Sequence, residues 1–240
     1  MKVVILAAGM GSRLQEILKG KPKPLLEING KCLLEHSLES LKQSGITEVT
    51  LAIGFEGQQI RNRIGNKFGG KININYASNP QYDSSGSMYS LYCALETPQT
   101  CLVLDGDIVY DSKAITKIME TKHKNSVVLT DCCGSGDEVY VTLDDSNNVT
   151  YLGKKLPSQR RVVEFTGISK FSEEFMNKMF ERHNQRTEKL DLTEYYEDAA
   201  YQVSKSLPWY GLVIPNLPWS EVDRKEDISR AINAIKNSAR

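Results

Sequence analysis

Apolar and polar positions follow two different periods along the first half of the chain. Short apolar runs typical of buried strands lie at 2–7, 48–53, 71–76, 100–105 and 126–131. Segments with apolar residues at helical spacing lie between them, at 31–44, 56–67, 87–96 and 112–122. The first of these helical segments ends at Gly45, a residue type that commonly terminates helices. Strands that alternate with helices predict an α/β fold, with a mostly parallel sheet covered by helices on both faces.

The pattern changes after residue 134. Strand-like alternation at 137–143, 148–153 and 162–170 is interrupted by a polar turn at 144–148. Helical spacing returns at 172–185, 193–205 and 226–237, and Ser172 is the expected N-cap of the first of these helices. Because no segment has the composition of a flexible linker, we predict one domain over residues 1–240. Residues 135–240 are expected to form a small β-containing lid on residues 1–134.

The composition is that of an ordinary globular protein. Hydrophobic residues make up 40% of the 240 residues, charged residues make up 25%, and the formal net charge is zero. A neutral chain is not expected to bind nucleic acids or membrane surfaces in general. No apolar run approaches the roughly 20 residues of a membrane span, and the first run is too short for a signal peptide. The five scattered cysteines favour reduced thiols and a cytoplasmic protein over a disulfide framework.

The first strand leads directly into a turn that contains Gly9 and Gly11. Glycine lacks a Cβ atom, so the backbone N–H groups of such a turn can approach an anion. The first 24 residues contain one acid, Glu16, against five cations: Lys2, Arg13, Lys19, Lys21 and Lys23. This excess of positive charge suits a triphosphate. The alternatives are a tight connection without a ligand for the glycines and a solvated charge run for the lysines, above all Lys19 and Lys21.

Two carboxylates follow the apolar strand at 100–105. Asp105 ends this strand, and Gly106 separates it from Asp107. In open parallel sheets, ligands bind beyond the carboxyl ends of the strands. Carboxylate oxygens are preferred ligands of Mg²⁺, which also binds phosphate oxygens, so we predict a Mg²⁺ site at Asp107. A simple turn is the alternative for this sequence, and Asp223 is a second candidate ligand that could instead cap the following helix.

A polar loop at 79–88 precedes the helical segment at 87–96. Ser87 could cap this helix or hydrogen-bond a nucleotide base. The second half of the chain also contains many aromatic and acidic residues that could form a pocket for an amine, although core packing is the alternative for each aromatic. They are Tyr140, Tyr195, Tyr196, Trp209, Tyr210 and Trp219, with Glu138, Glu164, Glu197 and Glu221.

Several of these motifs together resemble a known family. The segments 6–14 and 22–26 are similar to the signature of the nucleotidyltransferases that make NDP-sugars and CDP-alcohols. The segments 86–92, 104–108, 167–171 and 219–223 are most similar to the bacterial phosphocholine cytidylyltransferase group. That group includes enzymes acting on 2-aminoethylphosphonate and inositol phosphate. The resemblance implies a three-layer Rossmann-like (GT-A-like) fold, with a nucleotide-binding half at 1–134 and an acceptor-binding half at 135–240.

The resemblance also implies roles for individual residues. The nucleotide would contact Ala7, Ala8, Gly9, Gly11, Ser12, Ser85, Gly86, Ser87, Ser90 and Asp105. Lys23, Arg13 and Asp107 would act on the phosphates, and Asp107 and Asp223 would hold Mg²⁺. The acceptor would contact Tyr140, Glu164, Tyr196, Glu197, Trp219 and Glu221. One departure concerns the base: some relatives carry paired asparagines where Ser85-Gly86-Ser87 stands here.

The implied reaction is transfer of CMP from CTP to a small phosphorylated alcohol or amine, of phosphocholine or 2-aminoethylphosphonate type, with release of pyrophosphate. Because such an acceptor is already anionic, the chemistry needs no general base, and His36, His123 and His183 are expected on helix surfaces. Alternative acceptors are a sugar 1-phosphate, an inositol phosphate or an amino-acid-derived phosphate. A glycosyltransferase or a non-catalytic nucleotide sensor would explain fewer of these residues.

Overall fold

The computed structural model describes residues 1–158 and 161–238. The helices are α1 Gln15–Leu18, α2 Leu33–Gln43, α3 Gly57–Ile64, α4 Ser87–Leu95, α5 Lys113–Glu120, α6 Glu173–Thr187, α7 Tyr196–Ser204 and α8 Asp227–Ser238. The strands are β1 Lys2–Ala7, β2 Glu27–Ile28, β3 Lys31–Cys32, β4 Glu48–Ile53, β5 Lys67–Phe68, β6 Ile72–Ser78, β7 Cys101–Asp105, β8 Ile108–Tyr110, β9 Ser126–Thr130, β10 Tyr140–Leu143, β11 Val149–Gly153, β12 Val163–Phe171, β13 Tyr210–Val213 and β14 Trp219–Glu221.

The largest sheet continues through both halves of the sequence. Its strands lie in the order β11-β10-β12-β7-β1-β4-β6-β5, and β9 pairs with both β12 and β13. The middle strands β7, β1, β4 and β6 are parallel to one another. Antiparallel pairs, such as β12 with β7 and β5 with β6, flank this centre. The mostly parallel central sheet is therefore confirmed. Strands β10 to β13 extend the same sheet, whereas β14 pairs with β8 in a separate two-stranded sheet.

Helices cover both faces of the sheet, as the sequence predicts. Along β1, Val3 and Ile5 pack on one face with the apolar residues of α2, α3 and α5. Val4 points to the opposite face, where it packs with residues of α4, α6 and α7. A strand covered on both sides must be apolar throughout, which explains the continuous apolar run at the start of the chain. Within the residues that the structure describes, no helix combines the length and the apolar content needed to cross a membrane.

The boundaries of some elements differ from the prediction for local reasons. The helix expected from residue 31 begins at Leu33, because Lys31 and Cys32 pair with β2 in a short hairpin. Ser172 caps α6 as predicted, since its hydroxyl accepts the N–H of Phe175 at 3.3 Å. The short strands β8, β13 and β14 are not predicted. Each of these strands pairs with a strand that is distant in sequence, as β8 does with β14, so local patterns give no signal for them.

Candidate active site

The turn after β1 forms one wall of a cleft at the carboxyl edge of the sheet. Gly11 has a left-handed backbone, with φ of +60°, and starts a short 3₁₀ turn over Ser12–Leu14. A Cβ atom at this position would lie 2.7 Å from the Cβ atom of Lys23. Glycine therefore permits both the backbone conformation and the close approach of Lys23. The N–H of Phe55 donates to the carbonyl of Ala8 at 3.0 Å and ties the turn to the end of β4.

Two of the predicted cations meet at one carboxylate in this cleft. Lys23 is only 7% exposed, and its Nζ donates to Oδ2 of Asp107 at 2.5 Å and also to Oδ1 of Asp223. Nη1 of Arg13 donates to Oδ2 of Asp223 at 2.9 Å and to Oδ2 of Asp137 at 2.8 Å. The space between these groups has a volume of about 200 Å³ and is also lined by Gly9, Gly11, Ser12 and Gly106.

Pairing between distant strands brings Asp223 to the predicted metal site. Strands β8 and β14 are antiparallel neighbours, with Glu221 opposite Ile108. Just beyond this pair, the N–H of Val222 donates to the carbonyl of Asp107 at 3.0 Å. The two aspartates are thus fixed beside each other although they are far apart in sequence. The backbone N–H groups of Asp223 and Arg224 donate to Oδ2 of Asp227, the first residue of α8, which holds the turn that carries Asp223.

The charges of this cluster shift one another's protonation. Burial alone would lower the pKa of Lys23, but the carboxylates of Asp107, Asp223 and Glu221 outweigh burial and raise that pKa above its ordinary value. Burial opposes the charge of Asp223 as well, yet Lys23 and Arg13 lower its pKa. Burial, followed by the charges of Asp107 and Asp223, raises the pKa of Glu221 to about 8. The cleft therefore keeps a charged lysine beside a concentration of carboxylates.

The carboxylates also fit a divalent metal ion. One oxygen each from Asp107, Glu221 and Asp223 lie within 4.8 Å of one another. An all-oxygen donor set of this kind suits Mg²⁺, which prefers carboxylates, water and phosphate oxygens. Asp107 and Asp223 are the ligands predicted from the sequence, whereas Glu221 was expected to contact the acceptor. The donor chemistry of these residues thus agrees with the expected Mg²⁺ site.

A second, larger cavity adjoins the first and shares Leu6, Gly9 and Asp107 with it. Its volume is about 320 Å³. Part of its lining comes from the loop before α4 and the start of that helix, with Asn79, Ser85, Gly86, Ser87 and Ser90. Another part is acidic, with Asp105, Glu197 and Glu221, and Tyr195 completes the wall. The residues predicted to face the base and two of those predicted for the acceptor therefore line one continuous cleft.

Asp105 lies at the floor of this cavity, close to a bulge in β12. The register of β12 against β9 shifts between Phe165 and Ser169, and Gly167 has φ of +77° there. A Cβ atom on Gly167 would lie 2.4 Å from Oδ2 of Asp105. Burial, followed by the charges of Asp107, Glu197 and Glu221, raises the pKa of Asp105 well above its ordinary value. Burial also raises the pKa of Glu197 to about 7.

The expected acceptor residues do not form one group. Glu164 and Trp219 line a third, small cavity of about 20 Å³ with Cys133 and Arg230, which shares Asp223 with the first cavity and Glu221 with the second. Tyr140 is half-buried and donates to Oε2 of Glu138 at 3.2 Å. Tyr196 was expected to contact the acceptor, but it is fully buried in the core with Trp209 and is therefore corrected to a packing residue.

Three contributors to the cleft were not predicted as site residues. Oδ2 of Asp137 accepts a hydrogen bond from Nη1 of Arg13, and its backbone carbonyl accepts one from Nζ of Lys154 at 2.6 Å. Isolated residues such as Asp137 and Lys154 carry no sequence signal, because only the fold brings them to the glycine turn. Asn79 had a weak signal, since it opens the polar loop noted in the sequence, yet no role was assigned to it.

Comparison with known proteins gives the family. Residues 3–148 match the model of the MobA-like NTP transferase domain. This match spans more than half of the chain and includes the glycine turn, Lys23 and Asp107. The chain therefore belongs to the MobA-like NTP transferase family, and it is a nucleotidyltransferase.

Individual relatives differ in nucleotide and acceptor. The CTP:phosphoglutamine cytidylyltransferase of Campylobacter jejuni is 26% identical over 196 residues, which cover 75% of this chain and 76% of that protein. The N-acetylmuramate alpha-1-phosphate uridylyltransferase of Neisseria meningitidis is 35% identical over 113 residues, 46% of this chain and 48% of that protein.

Among solved structures, the CTP:phosphocholine cytidylyltransferase LicC from Streptococcus pneumoniae superposes with a TM-score of 0.80. The alignment covers 98% of both chains at 21% sequence identity. At this level of identity the likeness concerns the fold, which is therefore that of a nucleotidyltransferase along nearly the whole chain.

Proposed function

We propose that this protein is a cytidylyltransferase, which transfers CMP from CTP to a small phosphorylated alcohol or amine and releases pyrophosphate. The observation that carries the proposal is the meeting of the Gly9–Gly11 turn, Arg13, Lys23, Asp107 and Asp223 in one cleft. A turn that exposes backbone N–H groups beside two cations suits a triphosphate. In this proposal residues 1–134 supply most nucleotide contacts, and residues 135–240 supply most acceptor contacts.

CTP is favoured over other nucleotides by three relatives that are named for cytidine nucleotides. They are the CTP:phosphoglutamine cytidylyltransferase, a CMP-5'-(3-aminopropyl)phosphonate synthase and a choline-phosphate cytidylyltransferase, at 26%, 31% and 34% identity. These relatives support a cytidine nucleotide as the substrate of this chain.

The chemistry requires charge neutralisation and alignment at the α-phosphorus. An oxygen of the acceptor phosphate forms a new bond to the α-phosphorus while the bond from that phosphorus to the bridging oxygen of pyrophosphate breaks. Lys23 would offset the charge that develops on the α-phosphate and the incoming anion, and Arg13 would offset that of the β- and γ-phosphates. The acceptor oxygen is already deprotonated, so the residues of the cleft need to bind and orient two anions without removing a proton.

Asp107, Asp223 and Glu221 are the residues that would hold Mg²⁺. When bound, the ion supplies positive charge to the phosphate oxygens. In the free protein the ammonium of Lys23 bridges two of these three carboxylates. Lys23 therefore offsets part of the negative charge of the acidic cluster, and it lies at the wall of the cleft where a phosphate would lie.

The acidic wall favours an acceptor with a cationic group. Asp105, Glu197 and Glu221 line the larger cavity, and the described residues that line it include neither lysine nor arginine. Tyr195 presents an aromatic ring that is 56% exposed and suited to a cation. A phosphorylated aminoalcohol such as phosphocholine, an aminoalkylphosphonate or an amino-acid-derived phosphate would satisfy this wall. A sugar 1-phosphate has no cationic group to pair with these acids.

The test is a screen of pyrophosphate release over a grid of nucleotides and acceptors. Purified protein with Mg²⁺ is combined with CTP, UTP, ATP or GTP and with phosphocholine, 2-aminoethylphosphonate, a phosphorylated amino acid, inositol 1-phosphate or glucose 1-phosphate. We expect the fastest release with CTP and an acceptor that carries an amino or ammonium group. Pyrophosphate release with sugar 1-phosphates alone would favour the alternative function, a sugar 1-phosphate nucleotidyltransferase. No release with any combination of nucleotide and acceptor would refute the proposal.

A further inference from the structure

Asn79 lies at the centre of a hydrogen-bonded network beneath the larger cavity. It is only 2% exposed, and its Nδ2 donates to Oγ of Ser85 and to Oγ of Ser90, both at 2.9 Å. Its Oδ1 accepts the backbone N–H of Gln81 at 2.8 Å. Because a backbone N–H can only donate, this bond fixes the amide oxygen toward Gln81 and the amide NH₂ toward the two serines. The orientation of the Asn79 side chain is thereby determined by its neighbours.

The network also determines what the serines offer to a ligand. A serine hydroxyl has one proton to donate and two lone pairs that accept. Ser85 and Ser90 each use a lone pair to accept from Asn79, and Ser87 accepts the N–H of Tyr196 at 2.9 Å. Among the hydrogen bonds of the described residues, none has one of these three hydroxyls as its donor. All three serines line the cavity, so their protons are available to a bound base.

We infer that Asn79 is a positioning residue that holds Ser85 and Ser90 as hydrogen-bond donors and so selects cytosine over uracil. This inference rests on the proposed function, because it concerns the base of the nucleotide that the same cleft would bind. Cytosine presents two adjacent acceptors, O2 and N3, to such a pair of donors. Uracil carries a proton on N3, so the serine that faces it would have to turn its remaining lone pair to this proton and leave its own hydroxyl proton without an acceptor. A buried donor left without an acceptor is costly, so the difference between the bases is amplified.

The Asn79→Asp substitution tests this inference with almost no change in shape. The carboxylate still accepts the N–H of Gln81, but it can only accept from Ser85 and Ser90. Both hydroxyl protons then turn toward residue 79, and the serines present lone pairs to the cavity, which suit the N3–H of uracil. The matched control is Asn73→Asp, the same chemical change on the exposed side of β6.

The measurement is kcat/KM for CTP and for UTP with one acceptor, together with calorimetric binding of each nucleotide. We expect the ratio of CTP to UTP to fall by about tenfold or more in Asn79→Asp, the value of one lost hydrogen bond. Ser90→Ala should lower the ratio in the same direction, and Asn73→Asp should leave it at the wild-type value. If the role of Asn79 is purely structural, the substitution should lower kcat/KM for CTP and for UTP by the same factor. The ratio would then be unchanged, which would overturn the inference.

Two further outcomes are distinguishable. If the Asn79→Asp protein fails to fold in a thermal unfolding assay, the Ser85→Ala and Ser90→Ala variants decide, and an unchanged ratio in both overturns the inference. If the wild-type protein turns over neither nucleotide, the proposed function fails. The binding constants for CTP and UTP still report base selection in that case, and equal affinities would overturn the inference separately.

Discussion

At the scale of single residues, the cleft is organised by opposite charges at short range. Lys23 is buried between Asp107 and Asp223, and Arg13 lies between Asp223 and Asp137. Each cation is held by carboxylates in the free protein, which fixes its position and keeps it charged. A side chain that is already ordered loses less conformational freedom when a phosphate binds. In the proposed function, these residues would act by electrostatic stabilisation more than by proton transfer.

The first prediction concerns Lys23. The Lys23→Met substitution keeps the length of the side chain but removes its charge from the cleft. We expect kcat/KM to fall by about 10²–10³-fold, the usual consequence of removing one preorganised charged donor. The measurement is pyrophosphate release at saturating Mg²⁺ with CTP and the best acceptor of the screen.

Lys21→Met is the matched control, because Lys21 is exposed and lies two positions away in the same charged run. It should retain wild-type activity, and its thermal unfolding should match that of the wild type. Equal losses of activity in the two variants would show that the charge of the run matters in general, and would remove Lys23 from the mechanism.

The second prediction concerns the three carboxylates that fit a metal ion. We expect EDTA to abolish pyrophosphate release and added Mg²⁺ to restore it. Asp223→Asn removes one charged ligand, so the Mg²⁺ concentration for half-maximal activity should rise by about tenfold or more. The exposed Asp145→Asn substitution should leave the Mg²⁺ titration unchanged. Activity that persists in EDTA, or identical titrations for the two variants, would contradict the assignment.

At the scale of secondary-structure elements, strand ends place the reactive groups. Parallel strands β1 and β7 end side by side, with Leu6 opposite Asp105, so the glycine turn and the carboxylates meet at one edge. Strand β14 reaches the same edge by pairing with β8. The bulge in β12 then leaves room for Asp105 below the cavity. The geometry of the cleft therefore depends on five strands from both halves of the chain.

The third prediction tests the bulge in β12. Gly167→Ala imposes a left-handed backbone on alanine and also places a methyl group against Asp105. We expect a loss of stability of about 3 kcal/mol or more and a clear loss of activity. Gly45→Ala is the control, because φ is +81° there and, apart from residue 45 and its two chain neighbours, no atom of the described residues lies within 4 Å of the added Cβ atom.

The Gly45→Ala control should lose about 1–2 kcal/mol of folding stability from backbone strain alone, and it should keep its activity. Urea unfolding of both variants, with pyrophosphate release at a temperature where both are folded, separates the two effects. Equal stability losses and intact activity in both variants would show that contact with Asp105 is unimportant.

The fourth prediction corrects the expectation that His183 is a surface residue. His183 lies in α6 and is only 1% exposed, with its ring 5.8 Å from that of Tyr89 and 5.0 Å from that of Tyr92 in α4. Neither ring nitrogen has a hydrogen-bond partner among the described residues. Burial lowers the pKa of His183. The charge of Glu194 raises this pKa, which offsets the effect of burial only in part, and the charge of Arg186 lowers it further. The folded protein therefore favours the neutral imidazole.

The unfolded chain binds a proton at His183 below the ordinary pKa of 6.5, while the folded chain resists it. The contribution of this residue to stability is thus present above pH 6.5 and is lost as pH falls. We expect Tm to decrease less between pH 7 and pH 5 in His183→Phe than in the wild type. Parallel curves of Tm against pH for the two proteins would contradict this prediction.

At the scale of the whole molecule, the sequence is informative where function depends on short segments. The glycine turn, Lys23 and the carboxylates after β7 are local motifs, and the structure brings them together. The sequence is less informative where long-range pairing decides, as for Asp137 and for the short strands β8 and β14. His123 was likewise expected on a helix, but it lies in the loop after α5, where its ring stacks on that of Tyr210, a residue distant in sequence.

Tyr195 and Tyr196 show how a single residue step decides a role. Helix α7 begins at Tyr196 rather than at residue 193, so Tyr195 precedes the helix as its N-cap residue. Tyr195 is 56% exposed and lines the larger cavity, whereas Tyr196 is fully buried. The sequence shows an aromatic pair but not the phase of the helix, because that phase is set by packing of α7 against α4 and α6.

The most direct test of the central claim is a single ³¹P NMR experiment on the wild-type protein. The sample contains CTP, Mg²⁺ and a mixture of phosphorylated aminoalcohols, aminoalkylphosphonates and phosphorylated amino acids. If an acceptor oxygen attacks the α-phosphorus in this cleft, pyrophosphate and a CMP-linked product should appear in equal amounts, with two coupled phosphorus resonances in that product. Accumulation of CDP with orthophosphate, of CMP without a linked product, or of no product at all would contradict the account.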